Sequence, residues 1–431
     1  MDRHIATKIT AAATAVMMGA SAIPTVFAAS QIKYEYGVFL SASGDSDLKK
    51  MEDYRIIVLD AQEESFTYEK IMDLKNKGHI VYSYINLGSI EDDRSYYKKY
   101  KNLTFAPYED WPHERWVDVS STDWQTFQSS LAYELVYEKG VDGFFVDNTD
   151  VYYVAKEESD LHERDIDPAK IFDGVTNILS AYKSFTTTRG ESPYVLINGG
   201  DTYVTDYIEG VNGEDAEEYG FSIQGRNSLD GIIDGINQEG IFSTINFDYD
   251  DHNHFVAQDK ESSEYYKEYA ELVDSVGKDV FLLEYTSKSS DIKNIKKYCE
   301  QNGFRYFATN KGDLKTSAST AGAMPVDESR LVNTPVEEQI VPEVPAASSS
   351  KQEAASSKVS SSKKESSSSK ASKSSSKKES SSSKASKSSS KKESSSSKAS
   401  KSSSSKKDSS SSKASKSGSS KRNNPWWWWW F

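Results

Sequence analysis

A chain of 431 residues has room for two or three domains, but its charge divides it unevenly. Residues 348–431 hold 20 Lys and Arg against 5 Asp and Glu, leaving 32 basic and 61 acidic residues ahead of them, so a body of −29 is joined to a tail of +15. An acidic body argues against DNA, RNA and other polyanions as ligands and favours cationic or neutral ones. The single cysteine, Cys299, excludes a disulfide framework and reads as a small buried hydrophobe.

The first residues carry Arg3 and Lys8, then the apolar run ITAAATAVMMGASAI, then Val26-Phe27-Ala28. This is the pattern of a secretory signal over residues 1–28, too short in its apolar core for a comfortable membrane span. An exported protein is expected. From Tyr34 apolar runs alternate with amphipathic stretches. Strands are expected at 34–41, 55–60, 79–88 and 115–119, in GVDGFFVD ending at Asp147, and at 194–200, 207–214, 279–285 and 304–309. Helices are expected from Tyr68 to a stop at Gly78, from Pro168 onward, and over 264–276 and 289–301. Strands and helices alternating at this spacing imply parallel βαβ units, and their number points to an α/β fold of the (β/α)8 TIM-barrel type over 31–316. Nine strand candidates compete for eight places. The stretch 220–262 breaks the rhythm and reads as a long insertion on the active-site side.

Residues 317–350 form a Pro/Val/Glu-rich linker. Three copies of SSKKESSSSKASKS then run from Ser361 to Ser402, with an altered fourth copy to Ser417, inside a Ser/Lys-rich tract over 351–423. With no apolar seam, that tract buries too little to offset chain entropy, and a long disordered tail is expected. The chain ends in Pro425, five tryptophans and Phe431 over 424–431. Tryptophan favours membrane interfaces and the basic tract is drawn to anionic lipid or wall polymer, so retention at the cell surface is expected of this tail.

Acids recur at the expected strand ends: Asp60 after RIIVL, Asp118 in RWVDV, Asp147 after GFFV, Glu214 after IEGVNG and Glu284 in FLLEY, with Asn198 after YVLI. Strand C-termini are where parallel barrels build their sites. Several carboxyls around one mouth suit glycosidic-bond cleavage, which needs one group to protonate the leaving oxygen and another to attack the anomeric carbon or activate water. FDYDDHNHF, with Asp248, Asp250, Asp251, His252 and His254, has the ligand types for a metal-dependent hydrolase but no named spacing. Trp111, Trp116 and Trp124 offer aromatic faces that stack on sugars, or core packing.

The blocks YSYINLGSIEDDRSYY, WVDVSSTDWQTF, GVDGFFVDNTDVYY, YVLINGGD and EGVNGE resemble, in order, the motifs of glycoside hydrolase family 114, the endo-α-1,4-polygalactosaminidase-like barrels. The resemblance spans roughly 34–315. It implies an endo-acting glycosidase on a galactosamine-containing polysaccharide, using two carboxylates and neither metal nor organic cofactor. Asp147 and Glu214 match the family's two catalytic carboxylates, read here as nucleophile and acid/base with the reverse assignment open, and Asp60, Tyr84, Asn148, Asn198, Glu284 and Tyr285 are the expected substrate-binding residues. A sugar-binding or adhesion module on a degenerate barrel is the other class the resemblance leaves open.

Overall fold

The computed structural model describes residues 32–109, 111–249, 253–315 and 320–327. The signal stretch, the Ser/Lys tract and the tryptophan end lie outside them, as do Asp110, Asp250, Asp251 and His252.

Eight parallel strands form the barrel: β1 (Tyr34–Phe39), β2 (Tyr54–Leu59), β3 (Ile80–Asn86), β7 (Gly143–Asp147), β8 (Tyr194–Asn198), β11 (Gly235–Glu239), β14 (Asp279–Tyr285) and β15 (Arg305–Thr309). A further strand, β16 (Thr320–Ala323), runs antiparallel to β15. Tyr34 bridges Pro325 and the Glu35 N–H donates to the Met324 carbonyl at 2.8 Å, so β16 and the residues after it fill the gap between the last parallel strand and the first. Closure removes the unpaired edges an open sheet would leave. The barrel sheet therefore continues past residue 316, into residues expected to begin the linker.

Small sheets sit beside the barrel: β4 (Ser89–Glu91), β5 (Thr104–Pro107) and β6 (Glu114–Val117) form one, β9 (Gly210–Val211) and β10 (Ile223–Gln224) a second, and β12 (Ser243–Ile245) and β13 (Phe255–Ala257) a third. Two expected barrel strands thus fall elsewhere. RWVDV contributes β6, antiparallel to β4 and β5. YIEGVNGE is the end of a helix followed by two-residue β9. The true sixth barrel strand, β11, lies within the supposed insertion.

The helices are α1 (Asp45–Met51), α2 (Tyr68–Asn76), α3 (Tyr97–Tyr100), α4 (Thr122–Tyr133), α5 (Val151–Glu157), α6 (Pro168–Tyr182), α7 (Asp201–Glu209), α8 (Glu214–Tyr219), α9 (Lys260–Ser275) and α10 (Ser289–Asn302). Pro168 opens α6, and the Asp167 carboxylate accepts from the Ala169 N–H at 3.1 Å, leaving fewer orphan donors in the first turn. Cys299 is fully buried on α10, as its amphipathic setting implied. Trp124 and Trp116 are core residues, while Trp111 is exposed. No helix among the described residues is long and apolar enough to cross a membrane.

The N-terminal end of the barrel is held by a buried ion cluster. Lys75, fully buried on α2, places its ammonium 2.8 Å from Asp142, 2.7 Å from the Gly140 carbonyl and 2.5 Å from the Thr188 hydroxyl. Asp142 also accepts from Arg189 at 2.8 Å and from the Val81 N–H at 3.0 Å. It thereby ties β3, the start of β7 and the 187–189 turn together. Removing one partner leaves a buried charge short of compensation. Lys75→Ala should lower the unfolding free energy by about 3–5 kcal/mol, read as a lower urea midpoint at unchanged slope; an unmoved midpoint would show the cluster contributes nothing.

Candidate active site

Side chains alternate along a strand, so each barrel strand ends with one residue over the mouth. The register sets Asn86 opposite Asp147 across β3 and β7, and Asn237 opposite Asn198 across β11 and β8. Asp147 closes β7, Asn198 closes β8 and Glu239 closes β11.

Asn198 joins the two acids. Its Nδ2 donates to Asp147 Oδ1 at 3.1 Å and to Glu239 Oε1 at 2.9 Å. Two oxygens held by one nitrogen at those distances stand no more than about 6 Å apart, short of the roughly 6.5–9.5 Å that separates inverting carboxyls. Asn237 Nδ2 donates to Asn198 Oδ1 at 2.7 Å, and the Tyr36 hydroxyl donates to Asn237 Oδ1 at 3.1 Å, so the amide orientation is set from below.

The two carboxyls differ in surroundings. Burial raises both. Glu239 is pushed up to about 7, opposed by hydrogen bonds from Tyr285, whose hydroxyl donates at 2.6 Å, and from Asn198. Asp147 is raised by burial and held down by Asn198 and by the Asn148 N–H at 3.0 Å. Each keeps part of its surface open to the cleft.

A second acidic group stands beside Asp147. The Tyr84 hydroxyl donates to Glu91 at 3.2 Å, and Arg94 spans Glu91 at 3.1 Å and buried Asp60 at 2.8 Å. Glu114 accepts from the Ser89 hydroxyl at 2.5 Å and from Asn86 at 3.2 Å, and burial with the Glu91 charge pushes it up to about 8. Gly88 allows this packing: a Cβ there would lie 1.8 Å from the Asn148 carbonyl oxygen. Asn148 itself adopts φ 63°, a left-handed conformation that Asn tolerates better than most residues.

Of the expected site residues, Asp147, Tyr84, Asn198, Tyr285 and Asp60 belong to this connected set. Three are placed otherwise. Glu214 is exposed in the first turn of α8, because the apolar residues before it, Tyr203, Val204 and Tyr207, follow a helical spacing and face the core from α7. Glu239 occupies the strand mouth instead. Glu284 is wholly buried and accepts from the Phe242 and Ser243 N–H groups at 3.1 and 2.9 Å, anchoring β12 rather than facing substrate; burial pushes it up to about 8 against those bonds. Asn148 is buried, and its Nδ2 is engaged by Asn86 at 3.2 Å and Ser89 at 3.0 Å, which makes it a spacer between the two acidic groups.

Glu239, Glu114, Asn237 and Tyr36 escaped the reading of the sequence. The one signal for Glu239 was its place at the end of GINQE, a polar run whose inward residues serve the site. No cluster of metal-ligating side chains occurs among the described residues, and of FDYDDHNHF only Asp248 and His254 of the proposed ligands are described, His254 stacking on Tyr249 with ring centroids 3.8 Å apart.

Residues 13–190 match the family model for glycoside-hydrolase family GH114. That stretch holds Asp147 and the Glu91 and Glu114 group and stops short of Asn198 and Glu239. No curated protein matches the sequence. Among solved structures, the glycoside hydrolase domain of PelA from Pseudomonas aeruginosa is similar at 13% identity and TM-score 0.49, over 65% of this chain and 96% of that one. Ega3 from Aspergillus fumigatus, solved in complex with galactosamine, is similar at 16% identity and TM-score 0.44, over 66% and 93%. The α-galactosidase TtGalA from Thermus thermophilus is similar at 11% identity and TM-score 0.39, over 66% and 59%. The chain thus bears out the resemblance to glycoside hydrolase family GH114 over residues 13–190 and is, by that match, of glycosidase type.

Proposed function

We propose that this chain is an exported glycosidase that cuts within an amino-sugar polysaccharide, with Asp147 as nucleophile and Glu239 as acid/base. The observation that carries the reading is the Asn198 amide shared by two strand-end carboxyls. Glu239, the group pushed up to about 7, holds a proton to give to the leaving glycosidic oxygen while ionised Asp147 attacks the anomeric carbon. The glycosyl ester formed on Asp147 is then hydrolysed by water, whose proton passes to the Glu239 carboxylate, restoring both groups. Substrate charge follows from the mouth itself. With Glu114 and Glu239 raised toward their protonated forms, Asp60, Glu91 and Asp147 are met there by one guanidinium, Arg94, and one buried oxygen of Glu91 has no hydrogen-bond partner. A glycan carrying free ammonium groups suits that balance.

Asp147→Asn and Glu239→Gln should each lower kcat on a partly deacetylated amino-sugar polymer by about 10²–10⁴-fold with unchanged circular dichroism, whereas Glu214→Gln should leave it unchanged. Because Glu239 works protonated, kcat/KM of the unsubstituted enzyme should fall as pH rises through about 7. An alkaline limb that survives unmoved in a weakly active Glu239→Asp enzyme would assign the acid elsewhere. Proton NMR of the first-formed product should show a retained anomeric configuration; inversion would exclude Asp147 as nucleophile.

The tail completes the proposal. The basic repeats and the WWWWWF end hold the enzyme at the cell surface through anionic wall polymer or lipid. Deleting 426–431 should move the protein from the cell fraction to the medium, and undiminished retention would discard that role.

A further inference from the structure

The loops after the third and sixth barrel strands meet. Trp111, in the turn between β5 and β6, places its ring edge-to-face with Phe247, in the connection between β12 and β13, at 6.4 Å between centroids and 83° between planes. That separation lies in the roughly 4.5–7 Å range of favourable aromatic pairs. Strands β7 and β8 stand between β3 and β11 in the sheet, so the contact joins loops of strands that are not neighbours and passes the ends of the two strands that carry Asp147 and Asn198.

Both ends of this contact are rooted beside the carboxyl pair. On one side the Glu114 N–H donates to the Trp111 carbonyl at 2.8 Å, and the Glu114 side chain reaches Asn148, next to Asp147, at 3.4 Å. On the other, Phe255 at the return of the hairpin packs on Tyr285 at 5.8 Å between centroids, and Tyr285 donates to Glu239. Glu284 fixes the start of β12, and Asn253 accepts from the Gly312 N–H at 3.2 Å, adding support from the loop after β15. The contacts form a ring that starts on Asp147, runs through both loops to Glu239 and closes through Asn198. A pair serving only the core would be buried, yet Trp111 is 36% exposed.

We propose that Trp111 and Phe247 bridge the cleft above a bound chain and hold the polymer in place between successive cuts. This rests on the glycosidase reading given above. A strand of sugars lying under the bridge cannot leave sideways until the aromatic contact parts, so one binding event yields several cleavages. A short oligomer does not extend beyond the bridge and is released without it.

The test compares Trp111→Ala and Phe247→Ala with the unsubstituted protein on an immobilised amino-sugar polymer and on short oligomers. The ratio of soluble to immobilised new reducing ends should fall several-fold in both variants, while kcat on short oligomers stays within about twofold. Trp111→Phe, which keeps an aromatic edge, should recover most of the ratio. An unchanged ratio overturns the proposal, and so does an equal loss on polymer and oligomer, which would mark an ordinary stacking position or a folding defect. If the unsubstituted protein cleaves neither substrate, the glycosidase reading fails by itself. The bridge is then judged by release of fluorescent polymer from Asp147→Asn protein: adding Trp111→Ala should quicken release several-fold, and equal rates overturn it.

Discussion

Two carboxyls half-buried at one barrel mouth repel each other and resist ionisation, and a single amide holds them in place. Asn198 offers both acids a hydrogen from the same nitrogen. Its oxygen is claimed by Asn237, whose own oxygen is claimed by Tyr36. Were the Asn198 side chain reversed, its carbonyl would face two acceptors and its NH2 would face a donor. The order of donors from Tyr36 upward leaves only one orientation satisfied. The pairing of Asn198 with Asn237 depends in turn on the parallel register of β8 and β11, so barrel closure and carboxyl spacing are a single constraint.

The difference between the acids grows out of the same arrangement. Burial lifts both and donors hold both back, Asn198 and the Asn148 N–H at Asp147, Tyr285 and Asn198 at Glu239, and Glu239 still reaches about 7. Around them the barrel assembles more negative charge than Arg94 balances. The cost of keeping it buried is reduced by partial protonation, as at Glu114, and by the hydroxyl and amide donors of Tyr84, Ser89, Asn86 and Asn148. A cationic sugar would meet that surplus where it stands.

Legibility followed hydrophobicity. Strands buried on both faces, such as YRIIVL and GFFVD, announce themselves because nearly every residue in them is buried and most are apolar. β11 does not, since Asn237 and Glu239 turn polar groups toward the site and Gln238 between them is polar as well. The strand that carries half of the proposed chemistry thus looked like an insertion. Its place was given to YIEGVNGE, whose apolar residues belong to a helix and whose glycines at φ 81° and 60° turn the chain away from the barrel. β16 escaped for a related reason: TAGA is small and weakly apolar, and its role in closing the barrel comes from its neighbours.

From the amino-acid order alone follow the α/β alternation, the barrel class, and Asp147 and Asn198 at strand mouths, because these rest on local runs and on the residue directly after them. The tertiary structure alone decided which glutamate shares the Asn198 amide with Asp147. Glu214 and Glu239 are the same residue type and each follows a short run, and nothing local separates them. What separates them is which run pairs with β8 and β14, a long-range register that brings Glu239 to the Asn198 amide and leaves Glu214 exposed on α8. The same holds for Asn148 and Glu284, whose residue types suit a sugar site but whose side chains are already engaged by the fold.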